Sequence, residues 1–450
     1  MKMSVENLGY IAKGEMELGD LTVIVGKNNT GKTYLSYALI YFLATFHSNI
    51  VIDESELDKE NQLVINFDFL AKKISAVSKE CSRAIYKAFA CEKERFKNTK
   101  LDFSLDVNDM LSFMKNKVKQ TYHDVPIKDL ASIEVIGYIK NEEIVLKCSI
   151  SNAERDTISF FNQKKFQAMM LSESLGNLLK DYIEVFPVSS ERTGIALFYK
   201  ELDYTKNMIL DLLKEKDFSR KKYMDVVNQS VARYAFPIRE NINSVRSADT
   251  MKEKSFLWQS KKKYKTLFSI WSRLVSGIFA TNGESIIYTD NKANQEIPLH
   301  VISSANKSLL LLDIFIKHRA KPHHILIIDE PEMNLHPEAQ RDMARLLVQL
   351  VNAGVKIVIT THSDYIIREL NNLMMISALK STKVRKILRE LGYDSDEILM
   401  FQQVKAYMCD QHKIHTIEKN TYGLNISSFD GFINKSNEIS DSIVEMLETN

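Results

Sequence analysis

The feature that most constrains this chain is the segment GKNNTGKT, which begins at Gly26 and directly follows the apolar run LTVIV (Leu21–Val25). Its spacing is G-x-x-x-x-G-K-[S/T], the pattern of a loop whose backbone N–H groups surround phosphate. Glycines let the backbone approach an anion closely, and the following helix presents its N-terminus to the same charge. A chance match in a turn is the alternative, but an apolar strand before the loop and an apolar helix after it favour nucleotide binding.

The side chains of this loop have separate expected roles. Lys32 is expected to neutralise the β- and γ-phosphates of ATP, and Thr33 to offer its hydroxyl to Mg²⁺. ATP and Mg²⁺ are therefore the expected ligands. The residues predicted to bind the nucleotide are those of the whole loop: Gly26, Lys27, Asn28, Asn29, Thr30, Gly31, Lys32 and Thr33.

A second motif, LIIDEPEMNLHPEAQ (Leu326–Gln340), places two carboxylates side by side at the end of an apolar run. Asp329 falls at the carboxyl end of the expected strand, the edge at which open α/β sheets bind ligands. There we expect it to hold the Mg²⁺ that Thr33 also contacts. Glu330 points elsewhere and is expected to orient or deprotonate the attacking water, because phosphoryl transfer depends on positioning and charge neutralisation. A polar strand end before a helix is the plainer alternative, which the upstream loop disfavours.

The next strand, VKIVITT, ends in TTHSD, so His362 stands at the same edge of the predicted sheet. The strand–helix–strand unit predicts a parallel βαβ crossover. A lone histidine is more often structural, but the order of phosphate loop, acid pair and strand-end histidine indicates contact with a γ-phosphate or the attacking water. The candidate catalytic residues are therefore Lys32, Glu330 and His362, and the candidate metal ligands are Thr33 and Asp329.

Bulk composition limits the classes of partner. The chain has 450 residues, 45% hydrophobic and 26% charged, with a formal net charge of +2, so nucleic acid is neither demanded nor excluded. Its four cysteines lack CxxC spacing, which argues against zinc and for a reducing compartment. The N-terminus has no secretory signal pattern, and the apolar run Tyr34–Phe46 is too short to span a bilayer. We expect a cytoplasmic protein without a membrane partner.

The segments GKNNTGKT, IIDEPE, NLHPEAQ and TTHSD together resemble ABC-type ATPase heads of the RecF/SMC/OLD class. They look most similar to the stand-alone, OLD-like bacterial ATPases without a Toprim domain. The resemblance covers the start of the chain and about residues 303–373. It implies an α/β fold, an ABC-ATPase-like P-loop NTPase head with a mixed sheet plus a helical insertion. It also implies a homodimer or higher oligomer that closes around ATP, and a role in phage defence.

In heads of this class the signature of one subunit contacts the γ-phosphate bound by the other. By position the signature here is SSANKS (Ser303–Ser308), in which Ala305 and Asn306 replace the usual glycines. The resemblance implies that Ser304 caps the following helix and contacts phosphate across the dimer; an ordinary serine N-cap is the alternative. His336 stands where the transporters have Asp, which is similar to the OLD-like subclass.

Two further segments have open interpretations. PVSSERTG (Pro187–Gly194) either has the Q-loop role, reporting the γ-phosphate to the insertion, or carries a surface pair of Glu191 and Arg192. SKKKYK (Ser260–Lys265), near Trp258, is either a contact to a phosphate backbone or a solvated helix face.

The division of the chain follows its patterning. We assign the ATPase head to 1–52, 131–194 and 280–375, helical insertions to 53–130 and 195–279, and an α/β extension to 376–450. SIEVIGYI and EIVLKCSI predict a hairpin, and SIIYTD, IPLHVI, VKAYM and HTIEK predict strands. Helices are expected over Lys165–Lys180 and near Ser381–Leu391.

A Toprim nuclease is not expected, because YDSDE (Asp394, Asp396) and SFDGF (Asp430) lack a partner glutamate strand. Sustained heptads of a long coiled coil are also missing.

The leading hypothesis is an ATPase that serves as sensor or scaffold for a separate effector, a nuclease or toxin, in antiphage defence. One alternative is a DNA-repair or recombination ATPase that clamps DNA itself, which keeps nucleic acid open as a partner. The other is an ATP-gated interaction module with little turnover.

Overall fold

The computed structural model describes residues 1–118, 122–127, 131–151, 163–199, 234–281, 285–379, 388, 390–394, 396–426 and 438–441. Its strands, in chain order, are β1 (Lys2–Leu8), β2 (Ile11–Glu17), β3 (Leu21–Val25), β4 (Gln62–Ile65), β5 (Lys100–Ser104), β6 (Tyr122–Ile127), β7 (Ala131–Lys140), β8 (Glu143–Ser151), β9 (Val185–Val188), β10 (Gly277–Thr281), β11 (Ile286–Asp290), β12 (Glu296–Pro298), β13 (Ile325–Asp329), β14 (Lys356–Thr361), β15 (Val404–Asp410), β16 (Lys413–Thr416), β17 (Lys419–Asn420) and β18 (Gly423–Leu424).

Helices cover both faces of the largest sheet. In chain order they are α1 (Lys32–Phe46), α2 (Phe67–Ala84), α3 (Val107–Val118), α4 (Gln163–Lys180), α5 (Arg192–Phe198), α6 (Phe236–Arg246), α7 (Phe256–Gln259), α8 (Lys265–Val275), α9 (Ser304–Ile314), α10 (Pro337–Asn352) and α11 (Asp364–Ser377). A π-helical turn over Phe315–Arg319 extends α9, and short 3-10 helices span His47–Asn49, Glu54–Glu56, Ile85–Lys87, Lys93–Phe96 and Phe401–Gln403.

The largest sheet has nine strands in the order β5-β1-β2-β16-β15-β3-β14-β13-β9. The run from β15 to β9 is parallel, whereas β1 pairs antiparallel with β2 and β5, and β15 pairs antiparallel with β16. The predicted α/β class with a mixed sheet is therefore confirmed. Because parallel strands end at the same edge, β3, β13 and β14 bring their carboxyl ends together there.

The central strands are buried on both faces, which explains why their sequences are continuous apolar runs rather than alternating ones. In β13, Leu326 and Ile328 pack into the core formed with α8, α9, α10 and α11. Ile325 and Ile327 pack into the opposite core, formed with α1, α2, α3 and α4. The edge of the sheet at which β3, β13 and β14 end is thus supported by a packed core on each face.

The segment 53–130 is not purely helical, so that interpretation is wrong. It contains β4 and also β5, which pairs antiparallel with β1 at the edge of the large sheet. The predicted hairpin is confirmed as β7 and β8, but it lies in a separate four-stranded sheet of order β4-β8-β7-β6 rather than in the sheet of the head. The alternating burial of KLDFS is typical of a strand, but the strand with which it pairs, β1, lies at the start of the chain.

The predicted extension at 376–450 is not separate from the head either. Its strand β15 pairs in parallel with β3, and Val404, Ala406 and Cys409 are buried in the sheet. The predicted strand in IPLHVI stops at Pro298. Most of the helix predicted near Ser381–Leu391, and Asp430, lie outside the described residues. Within the described residues, no helix is long and apolar enough to cross a membrane.

Candidate nucleotide-binding site

The loop Gly26–Thr33 leaves the end of β3 and turns directly into α1. Gly26 and Gly31 have φ of +153° and +102°, which L side chains rarely adopt. A Cβ on Gly26 would lie 2.5 Å from the carbonyl oxygen of Cys409 in β15, and one on Gly31 would lie 2.7 Å from the side chain of Ile11. Both positions therefore require glycine, for conformation and for space.

The side chain of Lys32 folds back into this loop. It is buried, and its Nζ donates to the carbonyl oxygens of Gly26 (2.8 Å) and Lys27 (2.9 Å). The hydroxyl of Thr30 also donates to Lys27 O at 2.8 Å. The ammonium group thus lies inside the ring of backbone that the motif predicts for phosphate, at the N-terminus of α1, where anions are favoured.

Asp329 and Thr33 meet across the sheet edge. The Thr33 hydroxyl donates to Oδ2 of Asp329 at 3.3 Å, and the Thr360 hydroxyl donates to Oδ1. Asp329 is only 4% exposed, and burial raises the pKa of its carboxyl to about 6, although the bond from Thr360 opposes this. A buried carboxylate beside a hydroxyl is a set of oxygen ligands that fits Mg²⁺. Thr33 and Asp329 would hold Mg²⁺, which supplies charge neutralisation for the phosphates when bound.

Glu330 follows in an unusual backbone conformation. Its φ is +52°, in the left-handed region, and its N–H donates to the carbonyl oxygen of Thr360 at 3.0 Å. Its carboxylate differs in direction from that of Asp329 and lies 3.5 Å from Nδ1 of His362. The structure therefore brings together the two acids, Thr33 and His362, as the sequence predicts.

A third acid, Glu332, belongs to the same cluster. It is buried, and its Oε1 accepts from the Thr361 hydroxyl (2.8 Å) and from the backbone N–H of His362 (2.9 Å). The same oxygen lies 3.6 Å from His362 Nδ1. No role is predicted for Glu332 from the sequence. The available signal was its position in DEPE, one proline beyond the acid pair at the strand end.

Arg192 is buried below the acid pair, so its interpretation as a surface pair with Glu191 is wrong. Only 3% of Arg192 is exposed. Its Nη1 donates to the carbonyl oxygens of Asp329 (2.8 Å) and Ser189 (3.1 Å), and its Nη2 to that of Glu330 (2.6 Å). Burial lowers the pKa of Arg192 to about 10, so the guanidinium stays charged at neutral pH.

Glu191 turns toward α1 instead. Its Oε2 accepts from the hydroxyl of Tyr37 at 3.3 Å, one helical turn after Thr33. Burial raises the pKa of Tyr37, and the negative charge of Glu191 adds to this. The segment after β9 therefore contacts the acid pair through Arg192 and helix α1 through Glu191. Its Q-loop role stays a prediction.

The signature segment differs from its prediction in one respect. The N-cap of α9 is Ser303, whose hydroxyl accepts from the N–H of Asn306 at 3.1 Å, and Ser304 is the exposed first residue of the helix. The prediction that Ser304 caps the helix is therefore wrong, and its hydroxyl is left for other contacts. His336 is likewise the N-cap of α10, where its ring accepts from Glu338 N.

The remaining segments lie away from this cluster. Lys261 of SKKKYK lies over the ring of Trp258, 3.1 Å from its centroid, in an exposed turn before α8. The backbone carbonyl of Asp396, in YDSDE, accepts from the amide of Gln349, which ties that loop to α10. Among the residues that the structure describes, no group of three or more His, Cys, Asp or Glu could hold a metal ion.

Comparisons with known proteins agree with this geometry. The profile of the AAA ATPase domain family matches residues 1–367. The retron Vc95 probable ATPase of Vibrio cholerae is 20% identical over 390 residues, which cover 83% of this chain and 69% of that protein. An uncharacterized protein of Methanocaldococcus jannaschii is 23% identical over 197 residues, 41% of this chain but only 23% of that relative's length.

Two solved structures are similar to the chain at low scores. The SMC head domain from Thermotoga maritima is 10% identical with a TM-score of 0.30, covering 93% of this chain and 98% of that one. The Smc head domain from Pyrococcus furiosus, with an extended coiled coil and bound to the C-terminal domain of ScpA, is 11% identical with a TM-score of 0.33 and 98% coverage of both chains.

Proposed function

We propose, on the premise that this chain belongs to the AAA ATPase domain family, that it binds ATP with Mg²⁺ and hydrolyses it at the carboxyl edge of the large sheet. The observation that carries the proposal is the contact of Thr33 with Asp329 at 3.3 Å. It joins the phosphate loop to the acid pair across almost three hundred residues of sequence. Such a contact is expected if the two motifs serve one ligand.

Each side chain then has a definite task. Lys32 and the backbone N–H groups of the loop bind the phosphates. Glu330 takes a proton from water, the water oxygen attacks the γ-phosphorus, and the bond from that phosphorus to the bridging oxygen breaks as ADP leaves with the electron pair. His362, beside Glu330, contacts the water or the γ-phosphate. Most of the acceleration comes from positioning and charge neutralisation.

The test is steady-state hydrolysis of ATP by the wild type and by Glu330→Gln, with ATP affinity measured separately. We expect the variant to bind ATP as the wild type does and to lose roughly 100-fold or more in kcat, the usual contribution of a general base. Glu338→Gln is the matched control, because Glu338 is an exposed acid at the start of α10. It should leave both quantities unchanged.

The alternatives predict other results. A wild type that binds ATP but turns it over as slowly as Glu330→Gln would support the ATP-gated interaction module and refute the hydrolysis proposal. A chain that does not bind ATP at all would refute the nucleotide site itself. A strongly salt-dependent DNA affinity that rises with ATP would support the DNA-clamping alternative.

The finer part of the proposal is an ATP-dependent homodimer that serves as sensor or scaffold for a separate effector in antiphage defence. It is supported by the resemblance to OLD-like ATPases and by the similarity to a retron ATPase. Light scattering of Glu330→Gln should show the mass double with ATP. Adding Ser304→Arg should abolish the doubling while ATP still binds, because Ser304 is exposed at the start of α9. Doubling that survives Ser304→Arg would exclude this signature contact.

A further inference from the structure

We infer that Arg192 is a positioning residue that holds Glu330 in the backbone conformation in which its carboxylate faces His362. The inference rests on the proposed function, since positioning matters only if Glu330 acts on water. It is supported by the geometry of the Glu330 backbone, the contacts of the guanidinium, and the rigid elements that carry Arg192.

The backbone of Glu330 is unfavourable on two counts. A φ of +52° lies in the left-handed region, which non-glycine residues seldom adopt. Glu330 also precedes Pro331, and the residue before a proline is pushed toward extended conformations by the proline ring. A glutamate in this state persists only where its surroundings fix it.

The surroundings fix both peptide groups of Glu330. On the amide side, Glu330 N–H donates to Thr360 O at 3.0 Å, in register with the pairing of β13 and β14. On the carbonyl side, no strand is available because the chain turns into Pro331. Arg192 Nη2 donates there at 2.6 Å, beside the N–H of Met333 at 3.1 Å, and Nη1 donates to the preceding carbonyl of Asp329 at 2.8 Å. One planar side chain thus bridges consecutive carbonyls, for which its fixed fork is suited.

Arg192 is itself held by rigid elements. Nη1 also donates to Ser189 O at the end of β9, and Ser189 N–H donates to the buried amide of Asn241 in α6 at 2.8 Å. The next residue, Thr193, accepts from the side chain of Asn334 at 3.0 Å, beyond the acid pair. The start of α5 therefore clamps the turn Asp329–Asn334 from both ends. An apolar side chain in this place would fill space but would leave the carbonyls of Ser189, Asp329 and Glu330 without the guanidinium donor.

The first test separates positioning from nucleotide binding. Arg192→Lys keeps the charge but loses the fork, and we expect kcat to fall roughly 100-fold with KM for ATP nearly unchanged, as a small misplacement of a catalytic group does. Arg345→Lys is the control, because Arg345 is also paired and partly buried, with Glu397, but lies on α10 away from the acid pair. A wild-type kcat in Arg192→Lys would overturn the inference.

The second test asks whether the guanidinium itself is what matters. Adding guanidinium ion to Arg192→Ala should restore hydrolysis by roughly tenfold or more, whereas it should not restore Glu330→Gln. A variant that loses ATP affinity and thermal stability together with kcat, and that guanidinium does not rescue, would show that Arg192 only fills space.

The third test does not depend on hydrolysis. In Arg192→Lys, hydrogen–deuterium exchange at the amides of Glu330 and Met333 should rise, while Arg345→Lys leaves it unchanged; Met333 N–H donates to Glu330 O in the same turn. If the wild type hydrolyses no ATP, the proposed function fails, and this exchange still decides the inference. Unchanged exchange in Arg192→Lys would overturn it.

Discussion

The buried ion pair between Asp313 and Lys317 yields the sharpest prediction about stability. Asp313 is the penultimate residue of α9, Lys317 lies in the π-helical turn, and they are only 4% and 8% exposed. Lys317 Nζ lies 2.7 Å from Oδ2 of Asp313 and donates to Phe279 O, also at 2.7 Å. Burying two charges costs more than their attraction returns unless every partner is in place.

The magnitude follows from the carboxyl group. Burial raises the pKa of Asp313 from its ordinary 3.8 to about 6, although the ammonium of Lys317 opposes this. At 1.36 kcal/mol per pKa unit, ionised Asp313 costs the folded state about 3 kcal/mol. Because its pKa is higher in the folded than in the unfolded state, the contribution of Asp313 to stability is complete below about pH 4. It is lost as pH rises through about 6.

The perturbation is the double variant Asp313→Asn with Lys317→Met. Asparagine keeps an acceptor for Trp271, which bonds Asp313, and neither new side chain titrates. Between pH 4 and pH 8, the free energy of unfolding of the wild type should fall by about 2.5 kcal/mol relative to the variant, since a small part of the change occurs below pH 4. Lys317→Met alone leaves the carboxylate unpaired and should cost about 3–5 kcal/mol near neutral pH.

The assay is urea unfolding followed by tryptophan fluorescence. The chain has only two tryptophans, and both report on this pair, since Lys317 Nζ also lies 5.3 Å from the ring centroid of Trp258. The control is Asp290→Asn at the end of β11. The N–H groups of Ala293 and Lys292 lower the pKa of Asp290, so this variant should produce no comparable change between pH 4 and pH 8. Parallel stability curves for wild type and double variant from pH 4 to pH 8 would refute the reasoning, because Asp313 would then not titrate in the folded state at about pH 6.

Three further predictions concern the loop, the edge strand and the thiols. Gly31→Ala should weaken ATP binding by roughly tenfold or more, by calorimetry, because φ of +102° is strained with a side chain; unchanged affinity would contradict this. Asn241→Ala should lower the free energy of unfolding by about 1–3 kcal/mol, by urea titration, because β9 loses two buried hydrogen bonds. In the native protein, maleimide should modify partly exposed Cys91 well before Cys409, since burial raises the pKa of Cys409 to about 12; equal rates by mass spectrometry would contradict this.

The local motifs were predictable because the geometry of each one depends on a few adjacent residues. The loop around Gly26 and Gly31, the acid pair and His362 lie together as predicted, and the βαβ unit of β13, α10 and β14 is confirmed. The match to the AAA ATPase domain family agrees with the ATPase class that these motifs predict. In each case the chemistry depends on spacing along the chain, which a sequence displays directly.

The missed features depend on contacts between distant segments. β5 joins β1, and β15 joins β3, although nothing local distinguishes these strands from those of a separate domain. Arg192 was ambiguous for a related reason. Its partners are backbone carbonyls, which every residue possesses, so no complementary residue type marks them in the sequence. Burial of a charge against carbonyls becomes visible only once the strands have been placed.

The position of β3 has a consequence for how the protein is made. Its neighbours in the sheet are β14 and β15, and Val25 pairs with Met408, which is synthesised 383 residues later. At about 5–20 residues per second, the apolar strand that carries the phosphate loop waits roughly 20–80 s on the ribosome without its partners. During that time the segment GKNNTGKT is present, but β14 and β15, which pair with β3, are not both in place. A nascent chain interrupted before β15 therefore carries the full motif and still lacks the carbonyl of Cys409 that lies against Gly26.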